Sequence, residues 1–517
     1  MSQAGLQQQT QLIAALLDPS LYPHQAKTVR IIETHISWVL LAGRYAYKIK
    51  KALDLGFLDT TSLESRRHFC NEEIRLNQRL ATQIYLGVVP IGGSHTHPKW
   101  EAQPAIEYAV KMRRFDPAKT FDRLIARDKI TARHIDTLAQ ILAQFHSHLP
   151  PVKADTQSIR TALAQNFSQL AGIFPDDLCA MQQVCENACH ACQPLMEERL
   201  NQGYMRECHG DLHLGNIALI ADQPVPFDGI DFNPALRYID VMDEAAFLFM
   251  DLLHHSRADL AYRFLNAYLE HTGDYAGVAL LNFYFAYRAT VRAKVRAIRS
   301  HQTGVTNRVK RKALDACRNY LKLAAASLAP SRPCLIITHG LPGSGKSTFA
   351  QTALERLGAI RLRSDVERKR LFGLSALQES HPEQNIYSAE ATQRTYAHLL
   401  AAARGLLSAG RTVIVDAAFL KRDEREMFRK LAQESRASFA IASLQADDAT
   451  LRTRILQRKN DASEADLAVL EKLQTVQEPL TEQEMRHTTI FIDISAHQSA
   501  WAILDRLLKN SHRTNSP

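Results

Sequence analysis

One run of eight residues, Gly340-Leu-Pro-Gly-Ser-Gly345-Lys346-Ser347, constrains the fold of this chain more than any other feature. It fits G-x-x-x-x-G-K-[ST] without a gap, and chance would supply that match roughly 0.02 times in a chain of this length, so it reads as a real phosphate site. An apolar run, CLIITHG, precedes it and a helical pattern starts at Ser347. That strand–loop–helix order is what the motif requires. Its glycines let the chain turn tightly, so that the N–H groups of Gly343, Ser344, Gly345 and Thr348 can point at phosphate oxygens, with the positive end of the helix behind them. Lys346 is expected to reach the β/γ phosphates of a nucleoside triphosphate and Ser347 to ligate Mg²⁺.

Around this loop, strand and helix patterns alternate: CLIITHG, AIRLRS, a long helix near Ala389–Ser408, TVIVD, FAIASLQA and TTIFIDI. Such alternation predicts an α/β domain with a parallel sheet wrapped by helices. At about 100–200 residues per domain, 517 residues need more than this one. The boundary falls at AAASLAPSRP, where a helical pattern stops and two prolines punctuate the chain. The expected division is residues 1–323, a linker at 324–333, and residues 334–517.

Asp416 ends the apolar strand TVIVD, where a carboxylate can hold hydrated Mg²⁺. Asp365 follows AIRLRS at the carboxyl edge of the sheet and is the candidate base for an acceptor hydroxyl. Arg368 lies one helical turn further on. Arg454 and Arg458, at i and i+4, are candidates for a lid over the transferring phosphoryl group. On these residues, 334–517 resembles the P-loop small-molecule and polynucleotide kinases, including the gluconate-kinase-like proteins. The resemblance implies ATP-dependent phosphorylation of a hydroxyl, with Arg368 contacting substrate.

A second constellation lies upstream. His209-Gly-Asp211-Leu-His213-Leu-Gly-Asn216 is followed by Ile-Asp231-Phe232. One carboxylate can accept a hydroxyl proton, while an amide five residues on and a second carboxylate hold the metal that bridges the phosphates. This resembles the aminoglycoside phosphotransferase-like branch of the protein-kinase-like fold. The resemblance implies a bilobal α+β domain, with Asp211 as base and Asn216 and Asp231 as metal ligands. It also implies a strand lysine that pairs with the α/β phosphates and a helix glutamate that anchors it. Lys48 and Lys50 share strand parity for the first role; Glu73 and Glu72 compete for the second. Glu107–Met112 is expected to be the hinge that receives adenine. No G-x-G-x-x-G covers the phosphates, and Gly210 and Asn233 depart from regulated protein kinases. Both departures point to a small-molecule enzyme.

Composition bounds the rest. Lys+Arg of 63 against Asp+Glu of 54 gives +9, mildly basic and compatible with anionic substrates. The eight scattered cysteines fit reduced thiols in a cytoplasmic protein, and no apolar run is long enough for a bilayer. Cys185, Cys189 and Cys192 have iron–sulfur spacing, but the same offsets place them on one face of a continuous helix, where a packing seam is the simpler reading. Arg288, Arg292, Arg296 and Arg299 form a stripe beside Tyr287, Val291, Val295 and Ile298. Such a stripe can meet phosphorylated ligands, acidic side chains or nucleic acid. Without interleaved aromatics, nucleic acid is the less favoured partner. The expectation is therefore a tandem kinase using ATP and Mg²⁺ on small-molecule hydroxyls. The alternatives are a polynucleotide 5′-kinase and a nucleotide-gated regulatory module.

Overall fold

The computed structural model describes residues 2–54, 58–174, 178–301, 306–458, 461–492 and 498–510. The chain folds into two compact units. The first is Met1–Gln165 with His190–Asp251; the second is Asn166–Cys189 with Leu252–Pro517.

The first unit opens with helix α1 (Ser2–Ala15) and a sheet of β1 (Val29–Glu33), β2 (Ser37–Ala42) and β3 (Tyr45–Lys50). Helix α2 (Leu63–Asn77) follows, then β4 (Tyr85–Gly93), β5 (Pro98–Trp100) and β6 (Ala105–Arg113). The six strands are ordered β1-β2-β3-β6-β4-β5 and pair antiparallel. A turn at Gly43–Arg44 joins β2 to β3. Leu12 and Ile13 of α1, with Leu16 just after it, pack with Trp38, Leu40, Tyr47 and Ile49 in one apolar cluster. A second cluster sets Cys70 of α2 beside Ile84, Tyr85 and Val110. Ser62 caps α2, accepting from the Ser65 N–H.

Glu107–Met112 lies inside β6, which pairs with β3 on one side and β4 on the other. From Ala109 to Met112 the backbone is therefore spent on ladders on both sides, which corrects the expectation that this segment receives adenine. The chain leaves the sheet only after Arg113.

The helices that follow are α3 (Phe121–Ile125), α4 (Ala132–His148), α5 (Ser158–Ala171) and α6 (Cys179–Asn201), of which the stretch Asn166–Cys189 belongs to the second unit. Short strands β7 (Met205–Glu207), β8 (Ile217–Ile220), β9 (Gln223–Pro226) and β10 (Tyr238–Asp240) carry the loops around Asp211 and Asp231, and α7 (Val241–His254) closes the segment. Cys185 and Cys189 are buried on α6 and Cys192 is half-buried there; none of the eight cysteines is in a disulfide.

In the second unit run α8 (Ala258–Thr272), α9 (Val278–Ser300) and α10 (Asn307–Leu328). Then come β11 (Cys334–His339), α11 (Lys346–Leu357), β12 (Ile360–Arg363), α12 (Ser364–Leu371), α13 (Ala389–Ser408) and β13 (Val413–Asp416). The end of the chain adds α14 (Arg422–Glu434), β14 (Ser438–Leu444), α15 (Asp448–Gln457), α16 (Leu467–Val476), α17 (Glu482–Met485), β15 (Thr488–Phe491) and α18 (Gln498–Asn510). Five strands pair in parallel in the order β12-β13-β11-β14-β15, giving the α/β sheet the alternation predicts. Asp493 and Ile494 of the late apolar run lie outside the described residues.

Helix α8 covers the β12 edge of this sheet. Asn266 donates Nδ2–H to the Ala359 carbonyl at 2.9 Å and accepts the Arg361 N–H at 2.6 Å. A buried side-chain amide thus stands in for the missing neighbouring strand, satisfying groups an open edge would leave exposed. On α9, Arg288 is buried, whereas Val295 is 47% and Ile298 45% exposed. The apolar face expected beside the arginine stripe is therefore partly open to solvent. Among the described residues no helix is long and apolar enough to cross a membrane.

Candidate functional site

In each unit the candidate residues gather in a cluster of ionisable side chains. In the first, Lys48 and Lys50 project from the same face of β3 because side chains alternate along a strand. Lys48 Nζ lies 2.9 Å from Glu73 Oε1, and Lys50 Nζ lies 2.8 Å from Glu73 Oε2. Lys48 also meets Asp228 at 2.8 Å, and Lys50 pairs with Asp231. Both candidate lysines therefore converge on Glu73, and Lys50 is the one that reaches Asp231. Glu72 turns away and pairs with Arg75 at 2.8 Å. Burial would raise the Glu73 carboxyl, but the two ammonium groups outweigh it and hold it at about 2. At Asp231 burial prevails over Lys50, and its carboxyl is raised.

The loop after β7 presents Asp211, about a third exposed at 36% of its side chain. Asn216 Nδ2 donates to Asp211 Oδ2 and to the Asp211 carbonyl, both at 3.0 Å. His213 Nδ1 accepts the Gly215 N–H at 3.0 Å, which assigns the proton to Nε2, 3.5 Å from Asp211 Oδ2. His209 accepts the Asp211 N–H through Nδ1 and donates through Nε2 to the Phe227 carbonyl at 2.9 Å. Burial lowers its pKa, so the ring is a neutral brace.

Beneath the loop, Glu244 accepts the Gly210 N–H at 2.7 Å and lies 2.7 Å from His146 Nε2. Asp251 accepts the Leu214 N–H at 2.9 Å. Sequence reasoning missed Glu244 and Asp251, although acids seven residues apart in the apolar run of α7 are a readable signal. His146, Cys208 and Glu244 offer ligand atoms within 4.8 Å of one another. Burial keeps the Cys208 thiol protonated and Glu244 is spent on the loop, so the trio braces backbone.

In the second cluster, β11 leads into the phosphate loop and α11. Gly340 has φ +148° and a Cβ there would lie 2.4 Å from the Leu444 carbonyl oxygen. Gly343 has φ +82°, and its Cβ would lie 2.8 Å from the Leu451 oxygen. No other residue type fits either position. Gly345 is the N-cap of α11; Ser344 is buried with its hydroxyl unbonded, while Ser347 and Thr348 lie in the first helical turn. Lys346 Nζ donates to the Leu341 carbonyl at 2.8 Å. Burial lowers its pKa to about 8 against the pull of Asp416 and Asp365.

Asp416 is buried and its carboxyl is raised by that burial, with Arg363, Arg361 and Lys346 opposing and Ser347 hydrogen bonded beside it. Its Oδ2 has no hydrogen-bond partner among the described residues. A buried, unbonded carboxylate oxygen next to a serine hydroxyl is a donor set that fits Mg²⁺. Asp365 lies half-buried in the first turn of α12.

Arg454 is on α15 and donates to the Gly343 carbonyl at 3.3 Å. Arg458 is not on the same helical face, because α15 ends at Gln457 and Arg458 is its extended C-cap; its Nε lies 3.5 Å from Asp461. Arg368 is buried and donates to the Ile386 carbonyl at 2.9 Å and to Thr392 at 3.3 Å, with its guanidinium over the Tyr387 ring. It thus ties the 386–392 segment to α12. Sequence reasoning missed Arg363 and its partners Asp461 and Glu270.

A model of the phosphotransferase enzyme family matches residues 70–281, and an AAA domain model matches 335–480. The uncharacterized protein Rv2004c of Mycobacterium tuberculosis (strain H37Rv) is 31% identical over 452 residues, covering 84% of this chain and 88% of that protein. The uncharacterized protein Mb2027c of Mycobacterium bovis matches with the same identity and coverage. Among solved structures, amicoumacin kinase hAmiN in complex with AMP-PNP, Ca²⁺ and Ami is 13% identical, covering 62% of this chain and 94% of that one, with a TM-score of 0.38. A gluconokinase from Sinorhizobium meliloti 1021 is 19% identical, covering 36% of this chain and 94% of that one, with a TM-score of 0.25.

Proposed function

This chain belongs to the family of the uncharacterized mycobacterial protein Rv2004c and is an ATP-dependent phosphotransferase in which a phosphotransferase-enzyme-family segment precedes an AAA domain, and on that premise we propose that each half transfers the γ-phosphoryl group of ATP to a hydroxyl of a small molecule. One observation carries this reading: each cluster sets a lysine against a buried carboxylate of the metal-binding type. In the first Lys50 pairs with Asp231, while Asn216 bonds to Asp211; in the second Lys346 and Ser347 act on Asp416. On this reading the first half is residues 1–323 and the second 334–517, joined by a linker at 324–333, in a cytoplasmic protein.

In the first half Asp211 accepts the acceptor-hydroxyl proton, held in orientation by Asn216 Nδ2 and His213. Lys48 and Lys50, already facing acids, supply cations to the phosphates. In the second half Asp365 takes the base role. Lys346 and the loop N–H groups of Gly343, Gly345 and Thr348 cradle the phosphates, and Arg454 and Arg458 close over them. Asn216 with Asp231, and Ser347 with Asp416, are the residues that would hold Mg²⁺, which when bound neutralises charge on the β- and γ-oxygens.

The test is a radiolabelled-ATP screen of wild type, Asp211→Asn and Lys346→Ala against sugars, aminoglycosides, nucleosides and oligonucleotides. Each substitution is expected to abolish labelling of one acceptor class and spare the other. Label on oligonucleotide 5′ ends alone would replace this reading by a polynucleotide kinase.

A further inference from the structure

We propose that Glu270, on α8, is a positioning residue for the metal-binding carboxylate of the phosphate-loop site and acts through Arg363. The inference rests on the reading of Asp416 and Ser347 as the Mg²⁺ ligands. Arg363 and Asp416 are register partners at the carboxyl ends of neighbouring parallel strands, so they leave the sheet together. Arg363 Nε stands 3.8 Å from Asp416 Oδ2, close enough to balance its charge and too far to hydrogen bond. Asp416 Oδ2 therefore keeps its coordinating capacity although it is buried.

Two other acids draw the guanidinium away from Asp416, Asp461 by a hydrogen bond and Glu270 by charge alone. Its Nη2 lies 2.9 Å from Asp461 Oδ1, and its Nη1 lies 3.8 Å from Glu270 Oε2. Glu270 is itself fixed. Its Oε1 accepts from Arg361 Nε at 2.9 Å, and its carbonyl accepts from Arg370 at 2.7 Å. Asn266, one helical turn earlier, pins α8 to β12, and Arg263 pairs with Glu355 at 2.7 Å. Without the charge on Glu270, Arg363 closes on Asp416 and competes with the cation for Oδ2. Glu270 lies outside the 335–480 AAA match and inside the 70–281 phosphotransferase match. The second site thus depends on a carboxylate from sequence assigned to the first.

The experiment measures the affinity of full-length protein for a fluorescent ADP analogue in Mg²⁺ and in EDTA. The phosphate-loop signal is the part that Lys346→Ala removes. Glu270→Gln is expected to cut the Mg²⁺ enhancement about tenfold while leaving the EDTA affinity unchanged. Asp461→Asn, which frees the same guanidinium, is expected to act in the same direction and serves if Glu270→Gln fails to fold. Asn266→Ala loosens the helix but keeps the charge, and is expected to preserve the enhancement. An unchanged enhancement in Glu270→Gln, or an equal loss in Asn266→Ala, overturns the proposal. If Lys346→Ala removes no Mg²⁺-dependent binding in wild type, the reading of the site itself falls.

Discussion

Asn216 Nδ2 donates to Asp211 Oδ2 at 3.0 Å, so the amide orients a carboxylate that stands about a third open to solvent. Asp211→Asn is expected to lower transfer by the first half roughly 10²- to 10⁴-fold with nucleotide binding retained. Initial rates with labelled ATP, compared with nucleotide titrations of the same variant, check it. A matching collapse of nucleotide affinity would mean Asp211 supports the fold rather than the proton transfer.

Removing Lys50 leaves Glu73 and Asp231 buried with too little positive charge. Lys50→Met is expected to destabilise the protein by about 3–5 kcal/mol. Lys48→Met costs less, because its partner Asp228 is 48% exposed and stays hydrated. Urea denaturation of the two variants gives the order. Equal losses would count against a special role for the Lys50–Asp231 pair.

With the Lys346 ammonium lowered to about 8, nucleotide binding at the phosphate loop should take up a proton above that pH. The sign follows from the ligand: phosphates favour the charged form and raise the bound-state pKa. Affinity should be level well below pH 8 and fall up to tenfold per unit above it. Calorimetry between about pH 7 and 9.5 measures this, and Lys346→Arg should flatten the profile. A flat wild-type profile would contradict it.

Asn266 closes the β12 edge with two backbone hydrogen bonds from one side chain. Asn266→Ala leaves the Ala359 carbonyl and the Arg361 N–H without that partner, and is expected to cost about 1–3 kcal/mol. Faster hydrogen exchange at Arg361, with unchanged exchange in β14, is the local signature. Uniform exchange across the sheet would show that the amide caps nothing.

What the sequence made legible follows from spacing. Lys346, Ser347 and Asp416 were readable because a phosphate loop and a strand-end acid obey fixed local geometry. The short spacing of Asp211 and Asn216 likewise sets them together in one loop, while Asp231 meets Lys50. The choice between Lys48 and Lys50 was not, because both have the same strand parity and the answer depends on how α2 is set. Glu107–Met112 looked like a hinge because an alternating strand and a strand that leads to a loop share one pattern; only pairing on both sides separates them. Arg368 sits one turn from Asp365 as expected, but its bonds run to Ile386 and Thr392, and no local pattern announces a partner 18 residues away. Glu270 and Asn266 carried no signal, since their roles exist only against β12.

The amide of Asn266 has an implication for how such a chain can be taken apart. A gene cut at the prolines before Cys334 would yield a fragment whose outermost strand is bare and prone to stick to its own copies. A workable excision begins before Ala258, inside the span matched by the phosphotransferase family model. The linker before Cys334 is therefore not a point at which the parallel sheet can be cut free with its edge intact.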